Sequence, residues 1–358
     1  MKILQWLTVK QKRRLRWFPV LSVLSLWIMG CSNDDDNPGS EPQYRTDIYV
    51  CGSEFNGSHD VAKYWKNGEG IELSDGTHSA DAHAITVSDS TVYVAGAEKH
   101  DGSYRVAKYW KNSTAVPLSD GSSPAEAYSI FVDGKDVYVA GREKPGSNYR
   151  AVYWKNGAQV ALTNGAYDAS ATSITVHNGD VYVAGTESNG TRDVAKYWKN
   201  GTPVVLSDGS IHGDASDIFL SENDIYVAGR GTSGSRYWKN GEPVPLIQEG
   251  TEDQYAAGIY VSEGNVHVVG GGYGASKEIV YYWKNGDPEI ISKPKDVTTM
   301  ASSIFVQEND VYISGTVYNG STSSYSAQYW KNGEVIPLGE GKYSSFSSSI
   351  FVTKTLIE

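Results

Sequence analysis

One short phrase occurs seven times along this chain. It first appears as AKYWKNG at residues 62–68, and the later copies keep its Tyr-Trp-Lys-Asn core. The tryptophans of the seven copies are Trp65, Trp110, Trp154, Trp198, Trp238, Trp283 and Trp330, spaced 40 to 47 residues apart. A repeat of nearly constant period indicates a row of equivalent structural units rather than unrelated domains.

Each period contains four short segments with the composition of β-strands. In one period these are residues 127–132, 136–141, 151–155 and 158–162, all rich in Val, Ile, Tyr or Ala. Val, Ile, Tyr and Trp favour pleated strands. The Asn156-Gly157 pair supplies the positive φ angles of a two-residue hairpin. No stretch shows a sustained helical period, so the sequence predicts four antiparallel strands, A to D, in each repeat.

Four antiparallel strands in about 45 residues are typical of a β-propeller blade. The first repeat lacks a leading strand and begins at DIYVCG (47–52), whereas an extra SSSIFV (347–352) follows the last repeat. We therefore predict an all-β, seven-bladed β-propeller in which the C-terminal strand joins the N-terminal blade. This arrangement closes the ring and removes a free sheet edge. Adjacent Tyr and Trp should pack towards the two neighbouring blades.

The N-terminus predicts export and lipidation. Residues 1–30 read as a signal peptide, because six basic residues precede an apolar run at 17–29 that is too short to span a membrane. Cys31 follows Gly30 at the expected cleavage point, which predicts a lipidated Cys31; an ordinary secreted protein with a chance cysteine is the alternative. Residues 31–45 form a flexible acidic tether, and residues 46–358 form the propeller.

Charge and residue usage restrict the partners. Without the signal peptide the chain has 25 basic and 42 acidic residues, a net charge near −17. Such a surface repels nucleic acid and anionic lipid, so we expect no nucleic-acid partner and membrane contact only through the lipid. The seven histidines lack zinc-like spacing, and we expect no metal, no cofactor and a monomer. The remaining cysteine, Cys51, occupies the Ala position of the YVAG repeat and should be buried.

The YWKNG and YVAG repeats resemble those of Bacteroidota surface lipoproteins that are β-propellers without an assigned function. The resemblance covers residues 46–358. It implies the propeller fold and an outer-membrane lipoprotein exposed at the cell surface, and it implies no particular activity.

The predicted ligand site lies where the repeats differ. The A–B and C–D turns are tight, whereas the D–A and B–C loops on the opposite face are longer and variable, and such loops commonly bind ligands. We call this side the loop face and the other side the turn face. The candidate acidic residues at this face are Glu54, Asp81, Glu98, Glu126, Glu143, Glu187 and Asp214. The candidate aromatic residues are Tyr255, Tyr273, Tyr318 and Phe346.

Two interpretations of these residues stay open at this point. In the first, aromatic rings stack on a sugar while carboxylates bind its hydroxyl groups. In the second, the acids form hairpin salt bridges, namely Glu98 with Arg105, Glu143 with Arg150 and Glu187 with Arg192, and the aromatics fill the central channel.

The favoured function is a binding or scaffold module for a glycan or a partner protein. The alternative is a polysaccharide-degrading lyase or hydrolase with a carboxylate or His/Tyr site at the propeller mouth. His83 is the histidine expected to lie nearest the channel, but the sequence identifies no catalytic residue.

Overall fold

The computed structural model describes residues 42–100, 104–231, 234–246, 251–274, 277–291, 297–339 and 341–357. The predicted signal peptide, Cys31 and most of the tether lie outside these residues. The chain divides into a unit at Met1–Pro42 and a compact unit at Gln43–Glu358. Within the described ranges, no helix is long and apolar enough to cross a membrane.

The compact unit consists of seven four-stranded antiparallel sheets, here given in spatial order from strand A to strand D. Blade 1 contains β28 (Ser345–Ile357), β1 (Gln43–Phe55), β2 (Asp60–Lys66) and β3 (Glu69–Glu72). Blade 2 contains β4 (Ala80–Ser88), β5 (Thr91–Lys99), β6 (Arg105–Lys111) and β7 (Thr114–Pro117). Blade 3 contains β8 (Ala125–Asp133), β9 (Asp136–Glu143), β10 (Arg150–Lys155) and β11 (Ala158–Ala161). Blade 4 contains β12 (Ala169–His177), β13 (Asp180–Ser188), β14 (Asp193–Lys199) and β15 (Thr202–Val205).

The remaining three blades follow the same order. Blade 5 contains β16 (Asp214–Ser221), β17 (Asp224–Gly231), β18 (Gly234–Lys239) and β19 (Glu242–Pro245). Blade 6 contains β20 (Thr251–Ser262), β21 (Asn265–Gly274), β22 (Lys277–Lys284) and β23 (Asp287–Ile290). Blade 7 contains β24 (Val297–Gln307), β25 (Asp310–Asn319), β26 (Ser324–Lys331) and β27 (Glu334–Pro337). The predicted seven-bladed propeller is confirmed.

The two ends of the chain close the ring. The C-terminal strand β28 pairs with β1 as strand A of blade 1, with Val50 opposite Ile350. Each A strand contacts the A strands of both neighbouring blades, and β28 likewise contacts β4 and β24. The predicted ring closure is therefore confirmed. β1 begins at Gln43, slightly before the predicted boundary at residue 46, because Gln43 still pairs with Ile357.

The Tyr-Trp pair of each repeat packs into two different interfaces. Tyr64 of blade 1 belongs to the same buried cluster as Trp110 of blade 2. Trp65, the next residue, belongs to a cluster with Tyr329 of blade 7. All seven repeat tryptophans are fully or almost fully buried. Because burying one such side chain contributes a few kcal/mol, these residues supply a large share of the core energy.

The Lys-Asn-Gly end of the phrase builds the turn face. Asn67 and Gly68 both have positive φ angles, 51° and 89°, as the hairpin requires. The Asn67 side chain accepts a hydrogen bond from the Ile48 N–H at 2.8 Å and so fixes the turn to strand B. Lys66 lies 3.3 Å from the Asp47 carboxylate and over the Tyr49 ring. Comparable Lys–Asp pairs at 2.7–2.9 Å join Lys155–Asp136, Lys199–Asp180, Lys239–Asp224 and Lys331–Asp310.

Polar contacts also join the A strands around the central channel. Asp217 on β16 is partly buried and accepts hydrogen bonds from Ser173 of blade 4 at 2.7 Å and from the Ile259 N–H of blade 6 at 2.9 Å. Towards the turn face, an arc of aromatic rings follows the channel wall, with centroids 4.6–5.0 Å apart; it consists of Phe219, Tyr260, Phe305 and Phe351.

Candidate functional site

Arg105 joins two carboxylates at the channel mouth on the loop face. Its Nη2 atom lies 2.6 Å from Asp81 Oδ2 on strand A of the same blade, and its Nε atom lies 2.9 Å from Glu126 Oε1 on blade 3. Glu126 is the more recessed carboxylate, whereas Asp81 and Arg105 are each about 30% exposed. The structure therefore brings Asp81 and Glu126 together around one guanidinium group, a contact between separate repeats.

A histidine and two tyrosines lie beside this ion cluster. His83 Nε2 is 3.8 Å from Glu126 Oε2, which is too far for a hydrogen bond. This buried nitrogen has no hydrogen-bond partner among the described residues. The His83 and Tyr128 rings have centroids 5.5 Å apart. Burial raises the pKa of Tyr128 to about 12, so its phenol stays protonated and can donate a hydrogen bond at neutral pH. The Arg142 guanidinium lies over the Tyr128 ring, which holds that ring in place.

The predicted aromatic residues do not form one surface. Phe346 and Tyr318 both pack against Tyr325, with centroid distances of 4.8 and 4.9 Å. Tyr255 instead donates a hydrogen bond to Glu278 at 2.6 Å, and its burial raises the pKa of its phenol. Tyr273 is 53% exposed. Phe346 and Tyr318 are therefore the two predicted aromatics that share a cluster.

Three of the predicted acidic residues are paired with lysines of strand C. Glu54 contacts Lys63 and Glu98 contacts Lys108, while Glu187 lies 2.6 Å from Lys196. The predicted partners Arg105 for Glu98 and Arg192 for Glu187 are therefore wrong.

Strand alternation explains the choice of partner. Val106 lies opposite Glu98, and Lys108 shares the Val106 face, whereas Arg105 points to the other side. In blade 3, Arg150 lies directly opposite Glu143 in the strand register, and its Nη2 atom is 3.0 Å from Glu143 Oε2. That predicted salt bridge is confirmed.

The last acidic candidate, Asp214, pairs with Arg230 of its own blade at 3.2 Å. Burial raises the pKa of Asp214, although the Arg230 charge acts in the opposite direction. Within the described residues, no group of three His, Cys, Asp or Glu side chains is arranged to hold a metal ion.

A cavity at the outer edge of blade 1 was not predicted from the sequence. It measures about 700 Å³, and we call it the blade-1 groove. Six residues that define it are Glu54, Phe55, Lys63, Trp65, Gly70 and Tyr343. It lies between strands C and D of blade 1 and the loop that leads from blade 7 into β28. The sequence signal was Gly70, because the other repeats have a side chain at its position in strand D.

Comparisons with known proteins show the fold. No protein-family model matches the chain, and no curated protein matches it in sequence. The solved structure of a Mycobacterium tuberculosis puromycin-hydrolyzing peptidase is similar, with a TM-score of 0.55 and 14% identity. The match covers 82% of this chain and 52% of the peptidase, so this chain spans about half the length of that protein. A Trypanosoma rangeli sialidase in complex with sialic acid matches with a TM-score of 0.43 and 11% identity, over 74% of this chain and 55% of the sialidase.

Proposed function

We propose that this protein is a cell-surface lipoprotein whose propeller binds a glycan at the channel mouth on the loop face. The anchor is supported by the basic segment, the apolar run and Cys31, and by the resemblance of the repeats to Bacteroidota surface lipoproteins. The proposed location is the outer membrane, with the propeller exposed at the cell surface.

The first described strand enters the propeller on the face opposite the channel mouth. In blade 1, residues 43–46 pair with residues 354–357. These pairs extend past the position at which the corresponding strands of blade 2, β4 and β5, are joined by their turn. The chain therefore enters the propeller on the turn face. The channel mouth opens on the opposite face.

The observation that carries the glycan proposal is the cluster of Asp81, Arg105 and Glu126 beside His83 and Tyr128. Partly exposed carboxylates and a guanidinium can accept and donate hydrogen bonds to sugar hydroxyl groups. The Tyr128 ring offers a surface for the apolar face of a sugar ring. A glycan fits this mixture better than a strongly charged ligand, because Arg105 already contacts both Asp81 and Glu126.

A glycan array tests the proposal. The full-length protein should retain at least one glycan, and Glu126→Gln and Tyr128→Ala should each weaken that binding by about tenfold, or roughly 1.4 kcal/mol. Glu334→Gln on the exposed strand β27 is the matched surface control and should bind as the wild type does. If no glycan is retained, or if the mouth variants bind normally, the proposal is wrong. If the protein retains no glycan but binds a partner protein, the partner-protein alternative is favoured.

Lipidation is tested separately. Cells grown with an alkyne fatty acid should label the wild type and should not label Cys31→Ser. Equal labelling of both proteins would exclude Cys31 as the anchor.

A second candidate function is glycan cleavage, favoured by the approach of His83 to the Glu126 carboxylate. A proton donor and acceptor at this distance can serve acid–base chemistry. New reducing ends or unsaturated products from a polysaccharide panel would support cleavage, whereas binding without turnover would exclude it for those substrates.

A further inference from the structure

We propose that the blade-1 groove is a binding site for a neutral mono- or disaccharide, separate from the channel mouth. This inference does not depend on ligand binding at the mouth, because the two places use different residues. It rests on a missing side chain in strand D, a recessed ion pair and an aromatic wall.

The missing side chain belongs to Gly70, which lies opposite Trp65. At this position the other repeats have Ala115, Gln159, Pro203, Pro243, Pro288 and Val335. The indole Nε1 atoms of Trp110, Trp238 and Trp283, opposite Ala115, Pro243 and Pro288, are buried without a hydrogen-bond partner among the described residues.

In blade 1 the same indole edge faces the groove. A Cβ atom on Gly70 would lie 3.4 Å from Trp65 Nε1, so the absent side chain would have stood directly against this nitrogen. Trp65 is 2% exposed, which places its N–H at the floor rather than at the rim. A ligand that enters the groove can accept a hydrogen bond from this N–H.

The floor also contains the Glu54–Lys63 ion pair. The Glu54 side chain is 15% exposed and the Lys63 side chain is 12% exposed, so both are recessed but accessible. Lys63 Nζ is 5.8 Å from the centroid of the Trp65 ring. A sugar hydroxyl both donates and accepts hydrogen bonds and can bridge the carboxylate and the ammonium group without separating them. A charged ligand would have to compete with the existing pair, which is costly at a recessed site.

Phe55 and Tyr343 form one wall of the groove. Their ring centroids are 6.0 Å apart and their planes meet at 87°, an edge-to-face contact that fixes both rings. Both side chains are partly buried, and they leave apolar surface on the groove side. Blade 4 has Tyr167 where blade 1 has Tyr343, but it has Ser188 in place of Phe55 and Pro203 in place of Gly70. Blade 4 therefore lacks two of the features that form the groove.

The size of the groove fits a small saccharide. Its volume of about 700 Å³ lies within the range of roughly 300–1,000 Å³ found for small-molecule sites. The combination of an aromatic wall with a few recessed polar groups at the floor is the arrangement that orients a ligand with one apolar face and many hydroxyl groups.

Filling the groove tests the inference with a matched control. Gly70→Gln places a side chain against Trp65, and Ala115→Gln makes the same change in blade 2. Blade 3 already has Gln159 at this position, so both variants should fold. Calorimetric titration of the full-length protein with maltose, cellobiose, lactose and mannobiose should show binding of at least one disaccharide. Gly70→Gln should weaken that binding at least about tenfold, and Ala115→Gln should leave it unchanged.

Tyr343→Ala provides a second variant that does not fill the cavity, and it should also weaken binding about tenfold. The inference is overturned if none of these disaccharides binds the wild type at millimolar concentration, or if Gly70→Gln binds as the wild type does. Binding that is lost in Glu126→Gln and kept in Gly70→Gln would place the sugar at the mouth, which overturns the groove and leaves the proposed function standing.

Discussion

The Asp217 carboxylate accepts a hydrogen bond from the backbone N–H of Ile259, 2.9 Å away on the next blade. The same carboxylate accepts hydrogen bonds from Ser173 of the preceding blade and from its own neighbour Ile218. Ser129 makes a simpler version of this contact, because its hydroxyl accepts the Ile174 N–H at 3.2 Å. Adjacent blades are therefore joined by directed polar contacts as well as by apolar packing.

Removal of the Asp217 carboxylate should destabilise the ring. Asp217→Ala leaves the buried Ile259 N–H and Ser173 hydroxyl without their acceptor, and each such loss costs about 1–3 kcal/mol. We expect the free energy of unfolding to fall by about 3 kcal/mol, measured by urea denaturation. Asp217→Ser introduces the residue that blades 3 and 4 have at this position and should recover part of the loss. Wild-type stability in Asp217→Ala would show that this contact contributes nothing.

The same residue should make stability depend on pH. Burial raises the pKa of Asp217, so the folded protein holds this proton more tightly than the unfolded chain does. The resulting stabilisation is complete below the ordinary pKa of about 3.9 and is lost as the pH rises through the raised value. Relative to Asp217→Asn, the wild type should therefore gain stability as the pH falls from neutral. A difference between the two proteins that is constant with pH would contradict this prediction.

His267 should have the opposite effect in acid. Its Nδ1 atom lies 2.7 Å from the Tyr282 hydroxyl, and burial lowers the pKa of His267 to about 4. In the unfolded chain His267 binds a proton near pH 6.5, whereas in the folded protein it stays neutral down to about pH 4. The free energy of unfolding is therefore highest above pH 6.5 and declines towards pH 4. We expect a loss of about 2 kcal/mol over this interval. The loss should be absent in His267→Tyr, which introduces the residue of the other six repeats, and denaturation curves at pH 7 and pH 4.5 measure it.

Cys51 should be chemically inert in the folded protein. It is fully buried, and burial raises the pKa of its thiol. In a Cys31→Ser background, a thiol reagent should react with Cys51 in urea and not in native buffer. Cys51→Ala should change stability by less than about 1 kcal/mol, because four repeats have Ala here, whereas Cys51→Leu should cost about 1–3 kcal/mol through overpacking. Rapid labelling of the native protein would disprove the burial.

The fold could be predicted because the same turn and packing residues recur from repeat to repeat. Asn67 and Gly68 specify a turn, and Tyr64 and Trp65 specify two opposed faces. The Tyr-Trp pair and the turn asparagine recur in every blade, and only blade 2 replaces the turn glycine, with Ser113. Even the ring closure was visible, since one strand is missing at the start and one is added at the end.

The site was less predictable because its contacts cross between repeats. The sequence shows that Glu98 and Arg105 are close along the chain, yet Arg105 pairs with Asp81 and Glu126 because strand alternation turns it towards the mouth. The groove was missed for a different reason. A glycine in an outer strand carries no chemistry of its own, and its meaning appears only when Trp65 is seen behind it.

The pairing of β1 with β28 also has a consequence for biogenesis. These strands come from opposite ends of the chain, so every other blade can form before blade 1 is complete. Until the last 13-residue strand arrives, β1 exposes an unpaired edge on which other chains can add. Contacts of such long sequence separation form slowly. A chain that lacks β28 should therefore form an open, aggregation-prone arc, because blade 1 then has no strand A.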